Sequence, residues 1–488
     1  MPFSNLGSNP GASESESENA RASVKENAQA GLKESANDGS NTSTGEPFSD
    51  ISIAADMGGS TGTKHFLFLQ GPTNSLFVDI AAALKKHGHS VYRINLCLGD
   101  MIFWRGDDAV NFQGRVSEWP QFIEQFLKAK LITDIVLLGE QRIYHRIAIA
   151  IAIAIAKQQG IKVAVTDFGY LRPDWVILEL DGMNAQSRFP RDPDVIREWA
   201  LRSPPITPVE GFKDSFWCQA LWDMAYNLSQ VYWPWKFPHY QRHTLVHPFL
   251  AYPGIGIRLL KSRWENIRSQ RTAEAAFSKG PVFLFAMQTE DDFSLRAYSR
   301  YSDLDTPIKE VIQSFAQHAS AHASLLFKVH PLDPGLKNWR RRIAYMARIA
   351  QMAQMEQMAH QANVAHRVSY IDGGDLDTLI GRAAGVITVN STVGLRAIEL
   401  GKPVQALGDA IYRVKGLTHE AALSNFWNSA SPPDPPLADA FIRSLAASVL
   451  VRGSMYSKAG IEAASQGMAY RLHYGLLNVA LPTPEKFL

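Results

Sequence analysis

The sequence is poor in cysteine and contains no long hydrophobic run. Only Cys97 and Cys218 occur among 488 residues, which excludes a disulfide framework and favours a reducing compartment such as the cytosol. No segment reaches the roughly 20 apolar residues that a membrane-spanning helix needs. The start of the chain lacks a charged stretch followed by an apolar block, so we expect no signal peptide.

A strong charge of either sign is also lacking. The formal net charge is +2, so composition gives no reason to expect a nucleic-acid partner. A hydrophobic content of 46% is ordinary for globular proteins, and 488 residues exceed what one core usually serves. Composition therefore predicts a folded cytoplasmic protein with more than one domain.

Large apolar residues are almost absent from residues 1–62, which are rich in Ser, Asn, Glu and Gly. Such a segment cannot bury enough apolar surface to offset the conformational entropy lost on ordering. We therefore predict that residues 1–62 form a disordered leader.

The segment RIAIAIAIAIAK, residues 146–157, alternates Ile and Ala and fits either a strand or a helix. It lies between two short β-branched runs, residues 132–139 and 161–169, which each end in glycine and are typical of buried strands. Neighbouring parallel strands need a crossover, usually a helix. We therefore predict a helix from about Tyr144 to Gly160, apolar on every face and well buried, inside a βαβ unit.

The folded part opens with an alternation of strand and helix. The pattern predicts a strand at 66–69, a loop at 70–75, an amphipathic helix at 76–87 and a strand at 90–95. This opening is typical of doubly wound α/β domains, in which ligands gather at the carboxyl ends of the strands. The loop lacks the later glycines of a dinucleotide-binding fingerprint.

The same pattern begins again near residue 280. Strands are predicted at 280–288 and 323–331, and in HRVSYID and GVITVNS, with helices between them. Two such halves, joined by an aromatic segment at about 205–275, predict two doubly wound Rossmann-like domains facing a cleft, the arrangement called GT-B in glycosyltransferases. We place the domains at 63–275 and 276–430, with helices of 431–488 packing back across the cleft.

Several motifs carry a family resemblance. They are FLFLQGP, YHR before an alanine-rich helix, FGYLRPDWVILE, FKVHPLD and ITVNSTVGLRAIELGKPVQALGDAIYRVKGLT. From residue 64 to about 460 the chain resembles the capsule polysaccharide biosynthesis and export family of Gram-negative bacteria, of the KpsS type. The resemblance implies a metal-independent transferase without a cofactor, which moves β-Kdo (3-deoxy-D-manno-octulosonic acid) from CMP-Kdo to lyso-phosphatidylglycerol or a Kdo-lipid.

The resemblance also implies a location and a division of labour. The protein would work at the cytoplasmic face of the inner membrane, beside other capsule assembly proteins. Residues 63–275 would bind the lipid acceptor, and residues 276–430 would bind the nucleotide-sugar donor.

A CMP-sugar carries a phosphodiester and a sugar carboxylate, so its site needs cationic or N–H donors. Lys328 and His330 stand at the end of a predicted strand, and the resemblance indicates that His330, followed by Pro331, contacts the phosphate; a capped structural histidine is the alternative. Ser391 and Thr392 open a predicted helix, where hydroxyls cap the helix or bind phosphate.

Gln288, Asp292 and Arg296 match polar positions of the family that the chain resembles. We assign Gln288, Asp292 and Asn390 to the predicted donor site. Asp292 ends a run of three carboxylates, with Glu290 and Asp291, that has the residue types of a divalent metal site. Adjacent carboxylates more often form a solvated loop, so we expect no metal there.

Transfer of a sugar to a hydroxyl needs a carboxylate that accepts a proton or stabilises the positive charge of the departing sugar. Asp167 lies at the end of a predicted strand, and Glu140 holds the equivalent place one strand earlier, so both would face the cleft. We predict Asp167 first and Glu140 second as the catalytic acid, with a helix N-cap as the structural alternative. Family members have a second acidic residue where Thr166 stands.

Basic side chains near the same strand ends are candidates for binding anions. Arg142, His145 and Arg172 would bind the Kdo carboxylate or the acceptor phosphate, because guanidinium groups suit planar anions; ordinary surface arginines are the alternative. Gln70 and Gly71, after the first strand, complete this predicted group.

Residues 216–243, FWCQALWDMAYNLSQVYWPWKFPHYQRH, fit either a membrane interface or an aromatic core between the domains.

Three functions stay open from the sequence. They are a Kdo transferase, a non-catalytic assembly or export adaptor, and a transferase that uses another CMP- or UDP-sugar. The adaptor stays open because Thr166 stands where family members have a second acidic residue.

Overall fold

The computed structural model describes residues 62–104, 106, 108–206, 211–356 and 364–480, which belong to one compact unit. The predicted leader, residues 1–62, lies outside the described residues except for Gly62. Within the described ranges, no helix combines the length and the hydropathy that crossing a membrane requires.

The strands of the described residues form two sheets. In chain order they are β1 (His65–Phe68), β2 (Ser90–Asn95), β3 (Ala109–Asn111), β4 (Asp134–Leu138), β5 (Lys162–Phe168), β6 (Trp175–Leu180), β7 (Val282–Ala286), β8 (Ser324–Lys328), β9 (Val368–Ile371), β10 (Gly385–Thr388), β11 (Val404–Ala406) and β12 (Leu450–Arg452). The first sheet has the order β12-β6-β5-β4-β1-β2-β3, and the second has the order β11-β10-β7-β8-β9.

The helices cover the faces of these sheets or connect them. In chain order they are α1 (Leu76–Lys86), α2 (Leu98–Phe103), α3 (Trp119–Ala129), α4 (Ile143–Gln159), α5 (Pro193–Arg202), α6 (Phe216–Tyr232), α7 (Pro248–Phe277), α8 (Phe293–Ala297), α9 (Asp305–His318), α10 (Trp339–Glu356), α11 (Val364–Arg367), α12 (Leu376–Arg382), α13 (Val393–Glu399), α14 (Leu423–Ser429), α15 (Pro435–Ser448) and α16 (Lys458–Tyr474).

Both sheets have the chain reversal of a doubly wound fold. In the first sheet β1 lies between β2 and β4, and in the second β7 lies between β8 and β10, all in parallel pairs. Ligands bind in the crevice outside the carboxyl ends of the strands at such a reversal. The predicted α/β fold of two GT-B-like Rossmann lobes is confirmed; we call them the first and second lobe after their sheets.

The segment of alternating Ile and Ala is helical, as predicted, and α4 connects the parallel strands β4 and β5. The expectation that this helix is well buried on every face is wrong. Ala148 and Ala152 are fully buried, whereas Ile153 is 54% exposed. A helix that covers one face of a sheet buries one side only, and its opposite side meets solvent whatever its composition.

The segment predicted as an aromatic connection forms α6 and the 30-residue α7. The buried side of α7 docks on the second lobe, where Oγ of Ser269 accepts the N–H of Gly373 at 2.9 Å. The reading of this segment as an aromatic core fits Tyr226 and Phe237, which are buried. It is wrong for most of the large side chains, which the helices present to solvent.

The sequence patterns do not predict the short strands β3, β6 and β12. Because β12 pairs antiparallel with β6, the C-terminal residues complete the first sheet. α16 packs along α1, and Nζ of Lys64 donates to the carbonyl of Leu472 at 2.7 Å. The domain boundaries given above for residues 63–275, 276–430 and 431–488 stay predictions.

The close packing of α7 against the second lobe can be tested by replacing each of two glycines of this helix with alanine. A Cβ added at Gly254 would overlap the backbone carbonyl of Pro334, whereas no described atom lies within 4 Å of a Cβ at Gly256. We expect Gly254→Ala to lower the free energy of unfolding by about 1–3 kcal/mol. Gly256→Ala should raise it by about 0.5–1 kcal/mol, because alanine favours helix.

Urea unfolding of both variants measures these changes. Equal effects of the two substitutions would contradict a close approach of α7 to the loop that contains Pro334.

Candidate functional site

The carboxyl ends of the first sheet bring the two predicted catalytic acids together. Glu140 follows β4, and Asp167 is the penultimate residue of β5, the neighbouring strand. Gly139 has a φ of 68°, and a Cβ added there would lie 3.7 Å from Oδ2 of Asp167. The Asp167 carboxylate therefore lies beside the strand end that carries Glu140.

Glu140 is buried in a contact between the lobes. Its Oε1 accepts a hydrogen bond from the hydroxyl of Tyr298, which in turn accepts the amide Nε2–H of Gln141 at 2.8 Å. Oε2 of Glu140 is buried and has no hydrogen-bond partner among the described residues. Burial raises the pKa of Glu140 to about 7, and nearby Asp167 adds to the increase, so this carboxyl is a group that can exchange a proton near neutral pH.

Charged residues of both lobes shift the pKa of Asp167. The carboxylate accepts the N–H of Phe168 at 2.7 Å. Burial raises the pKa of Asp167, Arg142 and Arg172 of the first lobe oppose this, and Asp292 of the second lobe adds to it. The strand end of the first lobe therefore faces the loop after β7.

Two residues predicted to bind the donor, Gln288 and Asn390, bond to each other at the chain reversal of the second sheet. Nε2 of Gln288 donates to Oδ1 of Asn390 at 2.9 Å, and the N–H of Asn390 donates to Oε1 of Gln288 at 3.2 Å. Nδ2 of Asn390 also donates to the carbonyl of Ser294 at 2.7 Å. These amides hold the ends of β7 and β10 together, which is a positioning role.

Asp292, the third residue assigned to the same site, caps a helix. It precedes α8 and accepts the N–H of Ser294 at 2.9 Å, and its other oxygen accepts Nε2–H of Gln288 at 2.9 Å. The cap fixes the direction of the carboxylate, which also acts electrostatically on Asp167 and on His330.

His330 presents a hydrogen-bond donor at the end of β8. Its Nδ1 accepts the N–H of Leu332 at 3.1 Å, so the proton of the neutral ring is on Nε2. Burial lowers the pKa of His330, which Asp292 opposes and Arg172 of the first lobe reinforces. A neutral imidazole with a free Nε2–H suits a phosphate oxygen.

The neighbours of His330 differ in accessibility. Lys328 is buried, and burial lowers its pKa while Asp372 opposes the shift. Pro331 is exposed. Among these three residues, His330 is therefore the one that combines a side-chain hydrogen-bond donor with partial exposure.

Ser391 and Thr392 lie at the start of α13, beyond the end of β10. Oγ of Ser391 accepts the N–H of Val393 at 3.3 Å, and its carbonyl accepts the hydroxyl of Tyr412 at 2.6 Å. Thr392 is half-buried. Because β7 separates β10 from β8, the ends of the strands that lead to these hydroxyls and to His330 are about two strand spacings apart, or roughly 10 Å. A phosphate with an attached sugar would span this separation.

The basic group of the first lobe divides into two parts. Arg172 is exposed at the mouth of the crevice, and its Nε donates to the carbonyl of Gly169 at 3.3 Å. Nη1 of Arg142 is buried and finds no hydrogen-bond partner in the described part of the chain. An unpaired buried guanidinium nitrogen is the feature that a bound anion would satisfy.

His145, beside Arg142, does not suit an anion in the way the sequence predicts. Its Nδ1 donates to the carbonyl of Gly139 at 2.7 Å, so Nε2 is an acceptor in the neutral ring. Burial lowers the pKa of His145 to about 3, and Arg142 lowers it further. Nε2 is buried and has no partner within the described residues. A ligand hydroxyl matches this atom better than a carboxylate or a phosphate does.

Gln70 and Gly71 serve the structure around this group. Nε2 of Gln70 donates to the hydroxyls of Tyr226 and Tyr240 at 2.9 and 3.0 Å. A Cβ at Gly71 would overlap the ring of Phe77, so glycine is needed for the close approach of loop and helix. Neither residue has the free polar side chain that the predicted anion contact needs.

The three adjacent carboxylates do not converge. Glu290 pairs with Nζ of Lys337 at 2.5 Å, Oδ1 of Asp291 accepts the N–H of Leu245 at 2.8 Å, and Asp292 caps α8. Within the described ranges, no group of three or more His, Cys, Asp or Glu residues is arranged to hold a metal ion.

A cavity of about 610 Å³ adjoins the crevice and has Tyr298 in its wall. Arg300, Gly408 and Arg413 also line it, and none of the site residues predicted from the sequence does. The predicted residues surround the open crevice between the strand ends instead.

Sequence reasoning missed three residues that build the crevice. Tyr298 joins the lobes, and His243 has a pKa that burial lowers well below its ordinary value, with Arg142 and His145 reinforcing the shift. Glu179 is buried, accepts the hydroxyl of Tyr170 at 2.6 Å and has a pKa that burial raises to about 8. No local motif marks Tyr298, because its partner Glu140 is distant in sequence. Glu179 is the last residue of the motif FGYLRPDWVILE, which is the signal that could have marked it.

Comparisons with known proteins agree on one family. The sequence model of the family described as "Capsule polysaccharide biosynthesis protein" matches residues 133–456. The capsule polysaccharide modification protein LipB of Neisseria meningitidis serogroup B is 28% identical over 407 residues, which cover 81% of this chain and 92% of LipB. The capsule polysaccharide export protein KpsS of Escherichia coli is 27% identical over 380 residues, which cover 78% of this chain and 93% of KpsS.

One solved structure that aligns along most of the chain is KpsC of Thermosulfurimonas dismutans, a β-Kdo 2,7 transferase. The alignment covers 83% of this chain and 99% of that chain, at 13% sequence identity and a TM-score of 0.39.

The raised pKa of Glu140 predicts a pH-dependent stability. Because the folded pKa is about 7 and the ordinary value is 4.5, the folded state holds this proton more tightly than the unfolded chain does. Stability is therefore lost as the pH rises from about 4.5 to about 7. We expect Glu140→Gln to be about 1–3 kcal/mol more stable than the wild type at pH 8, and to lose this advantage at pH 4.

Urea unfolding at the two pH values measures the difference. Glu198→Gln, at a carboxylate that is 62% exposed, is the control and should show no such gain. Equal stability of Glu140→Gln and the wild type at pH 8 would contradict a raised pKa of the buried Glu140 carboxyl.

Proposed function

This chain belongs to the capsule polysaccharide biosynthesis protein family, and from that premise we propose that it is a glycosyltransferase that moves β-Kdo from CMP-Kdo to a lyso-phosphatidylglycerol or Kdo-lipid acceptor. The observation that carries the proposal is that the lobes close on each other at their strand ends, where Tyr298 of the second lobe bonds to Glu140 beside Asp167, while Asp167 and His330 have two charged neighbours in common. The pKa values of both groups respond to the same two residues, Arg172 and Asp292. These shared neighbours support a site in which a carboxylate of the first lobe and a phosphate-binding imidazole of the second act on one substrate.

In the proposed complex the second lobe binds the CMP-Kdo phosphate. Nε2–H of His330 donates to a phosphate oxygen, and the hydroxyls of Ser391 and Thr392 receive another part of the donor. Gln288 and Asn390 support these contacts by fixing the strand ends between them. The proposal involves no metal and no cofactor, and the positive charge near the donor comes from Arg172 and Lys328.

Asp167 and Glu140 share the acid–base work in this proposal. Burial raises the pKa of Asp167, and Arg142 and Arg172 oppose this shift. Asp167 would stabilise the positive charge of the departing sugar or accept a proton from the acceptor hydroxyl. Glu140, with a pKa of about 7, would hold or return a proton at the same strand end.

The acceptor would approach the first lobe. Arg142 offers an unpaired nitrogen to a phosphate, and Nε2 of His145 offers a lone pair to a hydroxyl. A lyso-phosphatidylglycerol headgroup carries both groups. Its acyl chain implies that the protein works at the surface of the inner membrane, on the cytoplasmic side.

The donor site is tested with His330→Ala. Losing the Nε2–H donor should reduce turnover of CMP-Kdo by at least about 100-fold, measured as CMP release in the presence of a lyso-phosphatidylglycerol analogue. His322→Ala, at an exposed histidine before β8, is the matched control and should keep full activity. Activity of His330→Ala near that of the wild type would refute the donor assignment.

The same assay separates the alternative functions. Binding of CMP-Kdo without turnover by the wild type would favour a non-catalytic adaptor. Indifference to all cytidine nucleotides would favour another sugar donor.

The acceptor site is tested with Arg142→Met. We expect the KM for the acceptor to rise by about tenfold or more, while the KM for CMP-Kdo changes little, because an ionic contact to the acceptor phosphate is lost. Arg146→Met, one turn later on α4 at an exposed position, is the matched control. A rise in the KM for CMP-Kdo alone would instead assign Arg142 to the donor.

A further inference from the structure

Helix α6 exposes a stripe of large apolar side chains. Trp217, Leu221 and Tyr232 are 71%, 62% and 56% exposed, and Met224 lies between them on the same helix. The positions 217, 221, 224 and 232 follow the 3.6-residue period, so these side chains share one face. This face points away from the protein, which is the reverse of the pattern of a helix that covers a core.

Helix α7 repeats this inverted pattern over a greater length. Phe249, Ile257, Leu260, Trp264 and Ile267 fall on one face by the same period, and Leu260 and Trp264 are 85% and 78% exposed. From residue 249 to 267 the face is about 27 Å long, at 1.5 Å per residue.

The two stripes join into one surface. The rings of Tyr232 and Phe249 meet edge to face with centroids 6.0 Å apart. The hydroxyl of Tyr252 donates to Oδ2 of Asp223 at 2.7 Å, which fixes α7 against α6. Trp235, between the helices, is 68% exposed. We call the set Trp217, Leu221, Met224, Tyr232, Trp235, Phe249, Ile257, Leu260, Trp264 and Ile267 the apolar helix surface.

The charges beside this surface are positive. Lys261, Arg263, Arg268 and Arg271 are exposed along α7. Glu265 is the only acidic residue in the sequence from 248 to 273, and it pairs with Arg340 at 3.1 Å. Exposed apolar and aromatic side chains flanked by cations form the pattern of a helix that lies in the interface of an anionic membrane.

The opposite face of α7 contacts the crevice. Nη1 of Arg258 donates to the carbonyl of His330 at 3.4 Å, and the same guanidinium pairs with Asp372. Gly254 lies against Pro334 of the same loop. A single helix therefore links the apolar helix surface to the loop that carries His330.

We propose that the apolar helix surface docks on an anionic lipid bilayer, with α6 and α7 in the plane of the interface and Trp217, Trp235 and Trp264 at headgroup depth. This proposal deepens the function proposed above and rests on it for its meaning, since docking brings a lipid acceptor to the crevice. A second copy of the chain is a poorer partner, because a two-fold contact through this surface would bring the exposed cations of one α7 close to those of the other.

The test is flotation of the full chain with vesicles of equal parts phosphatidylcholine and phosphatidylglycerol, without a sugar donor. We expect Leu260→Glu/Trp264→Glu to weaken binding by at least about tenfold, because both side chains leave the membrane and charge of the wrong sign is added. Leu201→Glu/Tyr345→Glu is the matched control, since these residues are 87% and 66% exposed on other helices, and it should bind as the wild type does.

A second variant tests the charge. Lys261→Glu/Arg263→Glu should bind several-fold more weakly, and binding of the wild type should fall on vesicles of phosphatidylcholine alone and at high salt. Thermal unfolding and analytical ultracentrifugation of every variant monitor folding and association.

Equal binding by Leu260→Glu/Trp264→Glu and the wild type would overturn the proposal. It would also be overturned if the wild type ignored vesicles and formed a dimer that this variant abolished. Flotation requires no turnover, so the two proposals can fail separately. Vesicle binding without Kdo transfer would contradict only the proposed function. Kdo transfer to a soluble acceptor without vesicle binding would contradict only membrane docking.

Discussion

The contact between Tyr298 and Glu140 joins the two lobes at the place where the predicted catalytic acids lie, and the geometry of the crevice depends on it. The phenol of the second lobe donates to a buried carboxylate of the first, and Gln141 donates to the same phenol at 2.8 Å. If this contact broke inside the folded protein, the buried Glu140 would lose its hydrogen bond from Tyr298, and a buried polar group left unpaired costs about 1–3 kcal/mol. The hydrogen bond from Tyr298 to Glu140 therefore stabilises the close contact of the two lobes at their strand ends.

A second link between the lobes continues from the same residue. The carbonyl of Tyr298 accepts the N–H of Asp409 at 2.7 Å, and the carboxylate of Asp409 pairs with Arg191 of the first lobe at 2.6 Å. The ion pair is partly exposed and so contributes little stability by itself. Together the two links hold Tyr298 from its side chain and its backbone, beside the strand end that carries Glu140.

Two histidines show how the backbone decides the chemistry of a side chain. His145 donates from Nδ1 to the carbonyl of Gly139, and His330 accepts at Nδ1 from the N–H of Leu332. Burial lowers the pKa of each ring, so both are neutral near pH 7, yet Nε2 is an acceptor in His145 and a donor in His330. One residue type thus offers a hydrogen-bond acceptor in the first lobe and a hydrogen-bond donor in the second.

What local pattern could predict was the architecture. Two β-branched runs ending in glycine around residues 132–169 determine two parallel strands and their crossover helix, because those constraints act within a few residues. The order of strands then puts Glu140, Asp167 and His330 at strand ends. By contrast, local periodicity cannot predict contacts between residues that are far apart in sequence. Examples are the bond of Gln288 to Asn390 and the bond of Tyr298 to Glu140. It also did not predict that Asp292 caps α8. The alternation in α4 and the aromatic run of α6 also left open which faces would be covered.

The sequence by itself therefore determined the strands, the crossovers and the strand-end positions. Only the tertiary structure decided which side chains are already bonded, which are buried without a partner and which apolar faces meet solvent, because each of these depends on what the rest of the chain brings against them.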